Sequence, residues 1–455
     1  MAMPGLACAI MVLWLWMTLW NRDGIIPFFD VGIFCAMATL LYTVYPLFNY
    51  WHDGLEFGRF SDFRLKSYNI TPVELGVFHL RHVLYLFAFV VSYSVFRGGG
   101  TIEAGNVNTP SSSSRKIILY YFLLLTGYFY LLQLVTGFSF NPGYIGDAYT
   151  RSVVGSENMP LILRQTSTRL WGIMFVFKIA LVSVVVSQCS QNKWRIILIL
   201  WVTAETINAV VIKGARTDFI LFLMGIALLY HRMIKPFTTK LIITMGVIGL
   251  TLFIFMGIYR SYFDVGDMQA EIALHGTSVY AGSNEFQGLL GTAYDVCQRV
   301  EKGIYLPWYL YINDFIWMLP PQQIMPFEKI AASEWYLEQI GLSGTGIGCM
   351  WGVISQCFVG LGWLELALRG AILGYILARF HRWYLQHQSG FLETFIYVFF
   401  CLRIYYSFRD TTFSPLASFF WNIIPAYILL RIGIVALFRE PGYTESPCVP
   451  LNNTK

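Results

Sequence analysis

The chain has 455 residues, of which 56% are hydrophobic and only 13% are charged, and its formal net charge is +5. Soluble domains carry about twice this share of charged residues, roughly 25%. The composition therefore excludes a soluble globular enzyme, and the lack of a Lys/Arg-rich run argues against nucleic acid as a partner. The eight cysteines are scattered without CxxC or metal-ligand spacing, which predicts packing in the core and no metal site.

About 20 apolar residues cross a bilayer as a helix, and this length predicts an all-α, polytopic membrane protein with eleven or twelve spans. The eleven apolar runs are residues 2–20, 31–50, 75–96, 117–137, 169–187, 194–212, 217–231, 239–259, 361–381, 391–408 and 413–437. The first run is followed by Arg22 and has no basic residues before it, which favours a span over a cleaved signal peptide. Residues 345–360 are apolar and glycine-rich, which predicts a twelfth span or a re-entrant helix.

One segment between the spans, residues 260–345, is far longer than the usual connection of about 4–6 residues. Its pattern predicts helices near 284–299 and 306–318, with a break at Pro320-Pro321. The sequence therefore predicts four regions: an N-terminal bundle (1–259), a partly helical outer segment (260–345), C-terminal spans (346–437) and a tail (438–455).

The basic connectors fall on one side of this span order. They are Arg97/Arg115/Lys116, Lys193/Arg195, Arg232/Lys235/Lys240 and Arg379/Arg382. Lys and Arg in short loops favour the cytoplasm, so this side and the tail are predicted to be cytoplasmic. Residues 138–168, 260–345 and the turns at 212–217 and 408–413 then lie outside. Arginines on the outer side depart from the rule, which suggests that they have a function.

Several of these outer cations suit the binding of an anion. Lys213 and Arg216 flank a glycine turn at the start of a helix, where the helix dipole and a guanidinium favour phosphate oxygens. The alternative is a solvated turn with cations that reach the interface. A surface salt bridge is the simplest role for each of Arg260, Arg299 and Arg409. If the outer segment folds over the helix ends, these three arginines would meet Arg216 at one cavity. Together they would then bind a diphosphate.

Candidate catalytic groups are few. Glu205 lies within an apolar run, where a carboxylate suggests function, although a hydrogen bond between packed helices explains it equally well. His275 and Asp295 are candidate general bases in the outer segment, which also holds other carboxylates. His79, Arg81 and His82 lie in the first turns of the third span, and the two histidines are expected at the interface. No Walker motif, HExxH or nucleotide-binding domain is present, so an enzyme of this kind needs no cofactor and receives its energy with the substrate.

Three stretches together resemble the O-antigen polymerase family, the Wzy-type polymerases of oligosaccharide repeat units, over roughly residues 205–435. The first is VIKGARTDFILFL (Val211–Leu223), the second is the glycine-spaced helix pair at Gly344–Gly374, and the third is the arginine-bearing span at Arg403–Pro425. The Arg-x10-Gly spacing of some members is missing at Arg151, Arg164, Arg260 and Arg299. Only Arg216 and Arg409 are therefore carried over as diphosphate-binding residues.

The resemblance implies a GT-C-like membrane glycosyltransferase in the bacterial inner membrane. Its substrate would be an oligosaccharide on undecaprenyl diphosphate, joined to a growing polymer at the periplasmic face, and a chain-length regulator is an expected partner. Two alternatives remain open: an O-antigen ligase that transfers glycan to lipid A-core, and a flippase or transporter of lipid-linked glycans. Transporters commonly show internal repeats, and none is found in this sequence.

Overall fold

The computed structural model is helical throughout the residues that it describes, and these contain no strand. The described residues are 2–23, 29–52, 68, 70–100, 102, 105, 107–135, 161–207, 216–238, 240–242, 244–249, 251, 284–308, 310, 332–341 and 349–438. Within them the α-helices are α1 (Ala2–Asp23), α2 (Val31–His52), α3 (Pro72–Phe96), α4 (Ser112–Val135), α5 (Leu161–Ser187), α6 (Asn192–Thr206), α7 (Arg216–Met233), α8 (Asn284–Glu301), α9 (Ala332–Gln339), α10 (Gly352–Phe358), α11 (Trp363–Gln386), α12 (Phe391–Arg403), α13 (Tyr406–Arg409), α14 (Ser414–Ser418) and α15 (Ile424–Phe438). A π-helical turn, Phe419–Ile423, joins the last two.

Six stretches of helix are long and apolar enough to cross a membrane. They are Ala2–Asp23, Pro72–Phe96, Ser112–Leu132, Arg169–Ser187, Phe391–Arg409 and Ser414–Ile434. Each coincides with a predicted span. The protein is therefore an all-helical, multi-pass membrane protein, and in the described part of the chain fewer helices meet both criteria than the eleven that the sequence predicts.

The described parts of the other predicted spans are also helical. Within the described residues, Val31–Leu47, Ile220–Met233 and Lys240–Gly249 are shorter apolar stretches, the first two of which belong to α2 and α7, and α6 has 15 residues. Helix α11 has 24 residues but carries charged side chains, among them Glu365 and Arg369. These two are buried and paired one turn apart, with Arg369 Nε 2.6 Å from Glu365 Oε1. The pairing lowers the cost of burying both charges, which a hydropathy value does not register.

Two predicted spans near the C-terminus are broken. The run at 391–408 is divided at Ile404–Tyr405 into α12 and α13. Of residues 345–360, the helical part is the seven-residue α10. That helix is about 10 Å long, too short to span a bilayer, so the described part of this run does not form a twelfth span and is compatible with the re-entrant alternative.

Helix α3 packs closely along α11. Thr71 and Glu74 begin α3 with a capping box, in which the Thr71 hydroxyl accepts from the Glu74 amide and the Glu74 carboxylate accepts from the Thr71 amide. On the facing side of α11, a side-chain carbon at Gly370 or Gly374 would lie 2.5 Å from a carbonyl oxygen of α3. Small residues four apart allow such close backbone approach in membranes.

The ends of α1, α3 and α11 and the beginnings of α2 and α12 meet in a buried polar group, here called the inner cluster: Asp23, Asp30, Tyr93, Arg97, His381 and Tyr397. Arg97 lies between two carboxylates, 2.5 Å from Asp23 Oδ2 and 2.9 Å from Asp30 Oδ2. The Tyr93 hydroxyl donates to Asp30 Oδ1 at 2.8 Å. The same oxygen accepts from the backbone amides of Gly32 and Ile33 in the first turn of α2, so Asp30 also caps that helix.

The basic connectors converge at this end of the bundle. The Gly105 amide donates to the Arg232 carbonyl at 2.9 Å, and the Asn108 amide donates to the Ser389 carbonyl at 2.8 Å. A side chain at Gly98 would lie against Arg382. Three of the four basic connectors thus share the end that holds the inner cluster. We call it the inner end, and its cytoplasmic orientation is the prediction made above.

The outer segment has a small hydrophobic core of its own. It is formed by Val296, Leu306, Leu310, Trp335, Tyr336, Trp351 and Val359. These residues bring α8, α9 and α10 together. Helix α8 confirms the helix predicted near 284–299, whereas most of 306–318 and the Pro320-Pro321 break lie outside the described residues.

Candidate functional site

An ion pair in the outer segment is the centre of the site. Asp295 and Arg299 are one turn apart on α8, and Arg299 Nε donates to Asp295 Oδ2 at 2.8 Å. The carboxylate is only 3% exposed, whereas the guanidinium keeps 27% of its side chain in contact with solvent. The structure therefore brings together two residues that the sequence suggested separately, one as a base and one as a diphosphate ligand.

Two tyrosines from distant parts of the chain complete this group. The Tyr68 hydroxyl, just before α3, makes a short hydrogen bond to Asp295 Oδ1. The Tyr336 hydroxyl, on α9, donates to Oδ2 at 2.6 Å. Asp295, Arg299, Tyr68 and Tyr336 are called the Asp295 cluster below.

The electrostatics of the Asp295 cluster keep the Tyr68 phenol protonated and Arg299 charged. Burial, the hydrogen bond to Asp295 and the charge of that carboxylate all raise the pKa of Tyr68. Burial lowers the pKa of Arg299, but the hydrogen bond and charge of Asp295 outweigh it and the net shift is upward. The carboxylate oxygens are thus occupied by three donors. A substrate hydroxyl that replaces one tyrosine would be held by an anionic acceptor, which can orient it or take its proton.

Arg81 joins the end of α8 to the membrane helices. Its guanidinium carbon lies 4.4 Å from the centre of the Phe358 ring and 5.1 Å from that of Trp363. Its Nη2 is 4.0 Å from Glu301, the last residue of α8. Aromatic faces stabilise a cation away from water. Arg81 is therefore a buried residue, only 8% exposed.

Two histidines beside Arg81 are also buried. His79 and His82 are 0% and 4% exposed, and their ring centres are 4.7 Å apart. A small cavity lies next to this pair, lined by His82 together with apolar side chains of α2, α3, α8, α10 and Phe408. Helix α8 thus packs against the bundle through apolar side chains next to the rings of His79 and His82.

A second group of cations lies where α12 breaks into α13. The guanidinium carbons of Arg403 and Arg409 lie 5.4 Å and 5.6 Å from the centre of the same Tyr406 ring. Phe175 covers Arg403 at 4.8 Å. Among the described residues, the buried Nε of Arg403 has no hydrogen-bond partner. Two like charges next to one ring form a place where an anion would be stabilised.

No family model, curated protein or solved structure matches this chain. The described residues also hold no group of three or more His, Cys, Asp or Glu side chains that would bind a metal ion. The geometry and chemistry of the residues themselves therefore carry the functional argument.

The remaining predicted residues are distributed as follows. Glu205 Oε2 lies 2.6 Å from Lys178 Nζ, and Trp201 donates to its other oxygen, so this carboxylate joins α5 to α6. This arrangement favours the helix-packing interpretation. Arg216 is the first residue of α7. Lys213, Arg260 and His275 lie outside the described residues.

Sequence reasoning missed Tyr68, Tyr336, Arg81 and Arg403 as members of these groups. The i,i+4 spacing of Asp295 and Arg299 on a predicted helix was the local signal for their pair. No comparable spacing exists for Tyr68 and Tyr336, because each reaches Asp295 across a large separation in sequence. Arg403 could have been found from the sequence, because it precedes Arg409 by only six residues near the end of the same predicted span.

Proposed function

We propose that the protein is a GT-C-like membrane glycosyltransferase that polymerises oligosaccharide repeat units carried on undecaprenyl diphosphate. The product would be O-antigen or a similar surface polysaccharide, made at the periplasmic face of a bacterial inner membrane. The observation that supports this most directly is the Asp295 cluster. It combines an anionic hydrogen-bond acceptor with a partly exposed arginine, in a segment packed onto one end of a multi-pass bundle.

The proposed reaction transfers a glycan between two lipid-linked units. The bond between the anomeric carbon of the growing glycan and a diphosphate oxygen breaks, and a bond from that carbon to an acceptor sugar hydroxyl forms. The hydroxyl proton passes to a base, and the electron pair leaves with the lipid diphosphate. No nucleotide sugar or other cofactor is required, because the diphosphate bond supplies the energy.

The roles of the residues follow from their charges. Arg299 and Arg409, with Arg216 by resemblance, would stabilise the negative charge that develops on the leaving diphosphate. Lys213 and Arg260 are further proposed ligands of that group. Asp295 would hold the acceptor hydroxyl after displacing a tyrosine, and His275 is the alternative base.

Lipopolysaccharide from a strain that lacks the gene tests this function on a gel. Core carrying a single repeat unit, without the ladder, is the expected result. Polymer that accumulates on its lipid carrier while the core stays bare would instead identify an O-antigen ligase. An unchanged ladder, with unchanged capsule and other surface glycans, would contradict the proposal. A chain-length regulator is an expected partner of the polymerase.

A further inference from the structure

The loop after α8 exposes two aromatic side chains. Gly303, at φ +86°, turns the chain as the helix ends. Leu306 then enters the core of the outer segment, whereas Tyr305 and Trp308 are 65% and 74% exposed. Residues 302–308 therefore have one side packed in protein and another side that presents large amphipathic rings.

The depth of this loop follows from the contacts of Arg81. Arg81 is about 14 Å from the first residue of α3 at 1.5 Å per residue, and it reaches both Glu301 and the ring of Trp363. Trp363 is the first residue of α11. The end of α8 is therefore level with the beginning of a long helix of the bundle and does not stand above it.

The surface next to the loop is apolar. The beginning of α11 exposes Leu364 and Leu368 by 62% and 48%. In a membrane protein such outward apolar stripes contact lipid. Because Arg81 ties the end of α8 to the beginning of α11, Tyr305 and Trp308 lie next to the outer end of this stripe.

We propose that residues 302–308 lie in the outer interface of the bilayer, with Tyr305 and Trp308 among the phospholipid headgroups. Tyr and Trp favour this layer because each has an apolar ring and a polar group that hydrogen-bonds with water or headgroups. The loop also touches the Asp295 cluster, since Lys302 Nζ lies 5.8 Å from the centre of the Tyr68 ring. Contact with lipid would therefore set the depth of that cluster, whatever reaction it performs.

Photo-crosslinking of the full chain in phospholipid vesicles tests the location. Benzoylphenylalanine is introduced singly at Tyr305, at Trp308, or at Glu338, an exposed residue of α9 in the same outer segment that serves as the control. Irradiation should give phospholipid adducts at the first two positions and only background at Glu338. Adducts at none of the three positions, or equal adducts at all of them, would overturn the proposal.

A milder substitution gives a second test that does not depend on the crosslinker. Trp308→Phe should reduce the quenching of tryptophan fluorescence by lipids brominated close to the headgroup. Trp351→Phe removes a tryptophan that is only 5% exposed and should leave that quenching unchanged. Equal quenching in wild type and Trp308→Phe would show that this ring is not in the interface.

Discussion

The two ends of the bundle handle buried charge in different ways. At the inner end, Arg97 lies between Asp23 and Asp30, and the Tyr93 hydroxyl donates to Asp30. At the outer end, Glu365 and Arg369 form a buried pair, whereas the half-buried Arg403 and Arg409 meet at a tyrosine ring. The difference suggests that the inner cluster holds helices together, while Arg403 and Arg409 suit the proposed anionic ligand.

Removal of the inner arginine should have the largest effect on stability. Arg97→Ala leaves two carboxylates buried without their cation, and loss of one partner from a buried ion pair costs about 3–5 kcal/mol. We expect a large fall in the amount of folded protein and in its melting temperature in detergent. The matched control is Arg22→Ala, because Arg22 is exposed at the same end. A melting temperature for Arg97→Ala equal to that of the control would contradict this role.

The second-largest effect on stability is expected from overpacking the contact between α3 and α11, two helices that connect the two ends. Gly374→Ala brings a methyl group within 2.5 Å of the Phe89 carbonyl oxygen, and such overpacking costs about 1–3 kcal/mol. Gly127→Ala provides the comparison, since no atom lies within 4 Å of its new methyl group. Thermal melting should show destabilisation for the first and no loss for the second. Equal melting temperatures for both variants would mean that the helices separate at little cost.

Asp295→Asn should have a smaller effect on folding and a large effect on activity. The amide keeps the size of the carboxylate and loses its charge, so Arg299 and the two tyrosines are held less strongly, by about 1–2 kcal/mol. We expect near-normal amounts of protein in the membrane but little polymer on a lipopolysaccharide gel. Glu338→Gln changes an exposed carboxylate of the same segment and should retain the ladder. A normal ladder with Asp295→Asn would remove this residue from the proposed mechanism.

Acidic pH should produce the smallest effect, and Asp30 of the inner cluster is the group through which to measure it. Burial raises the pKa of Asp30, but the charges of His381 and Arg97 and the hydrogen bonds from Tyr93 and Arg97 outweigh it, so the pKa lies below its ordinary value of 3.8. Its stabilising contribution is therefore fully present above that value and declines as the pH falls through the lower folded pKa. The melting-temperature difference between wild type and Asp30→Asn should stay constant from neutral pH to about pH 5 and shrink below pH 4. A difference that changes between pH 7 and pH 5 would contradict this assignment.

Much of the architecture could be predicted because the length of an apolar run is read directly from neighbouring residues in the sequence. The six stretches that meet the spanning criteria coincide with predicted spans, and α8 occurs where its pattern placed it. The break at Ile404–Tyr405 was not predictable in this way, since no proline or glycine marks it in the predominantly apolar run at 391–408. The burial of Arg81 was not predicted either, because sequence alone does not show that the rings of Phe358 and Trp363 surround it.

The site was predicted only in part, for a similar reason. Spacing on one helix anticipates the pair of Asp295 and Arg299. The contributions of Tyr68 and Tyr336 depend on how α8 and α9 fold against the start of α3, and a single sequence contains no record of those contacts. For Glu205 the sequence left catalysis and helix packing equally open, because its partner Lys178 lies on another helix and is visible only in the structure.

The pairing of α3 with α11 also has a consequence for biogenesis. Chains are synthesised from the N-terminus, so α3 enters the bilayer long before α11 leaves the ribosome. During that interval Arg81 lacks the rings of Phe358 and Trp363, and an arginine within a membrane helix is costly without such partners. The early helices would therefore remain next to the insertion machinery, or to a membrane chaperone, until the C-terminal third of the protein arrives and the bundle closes.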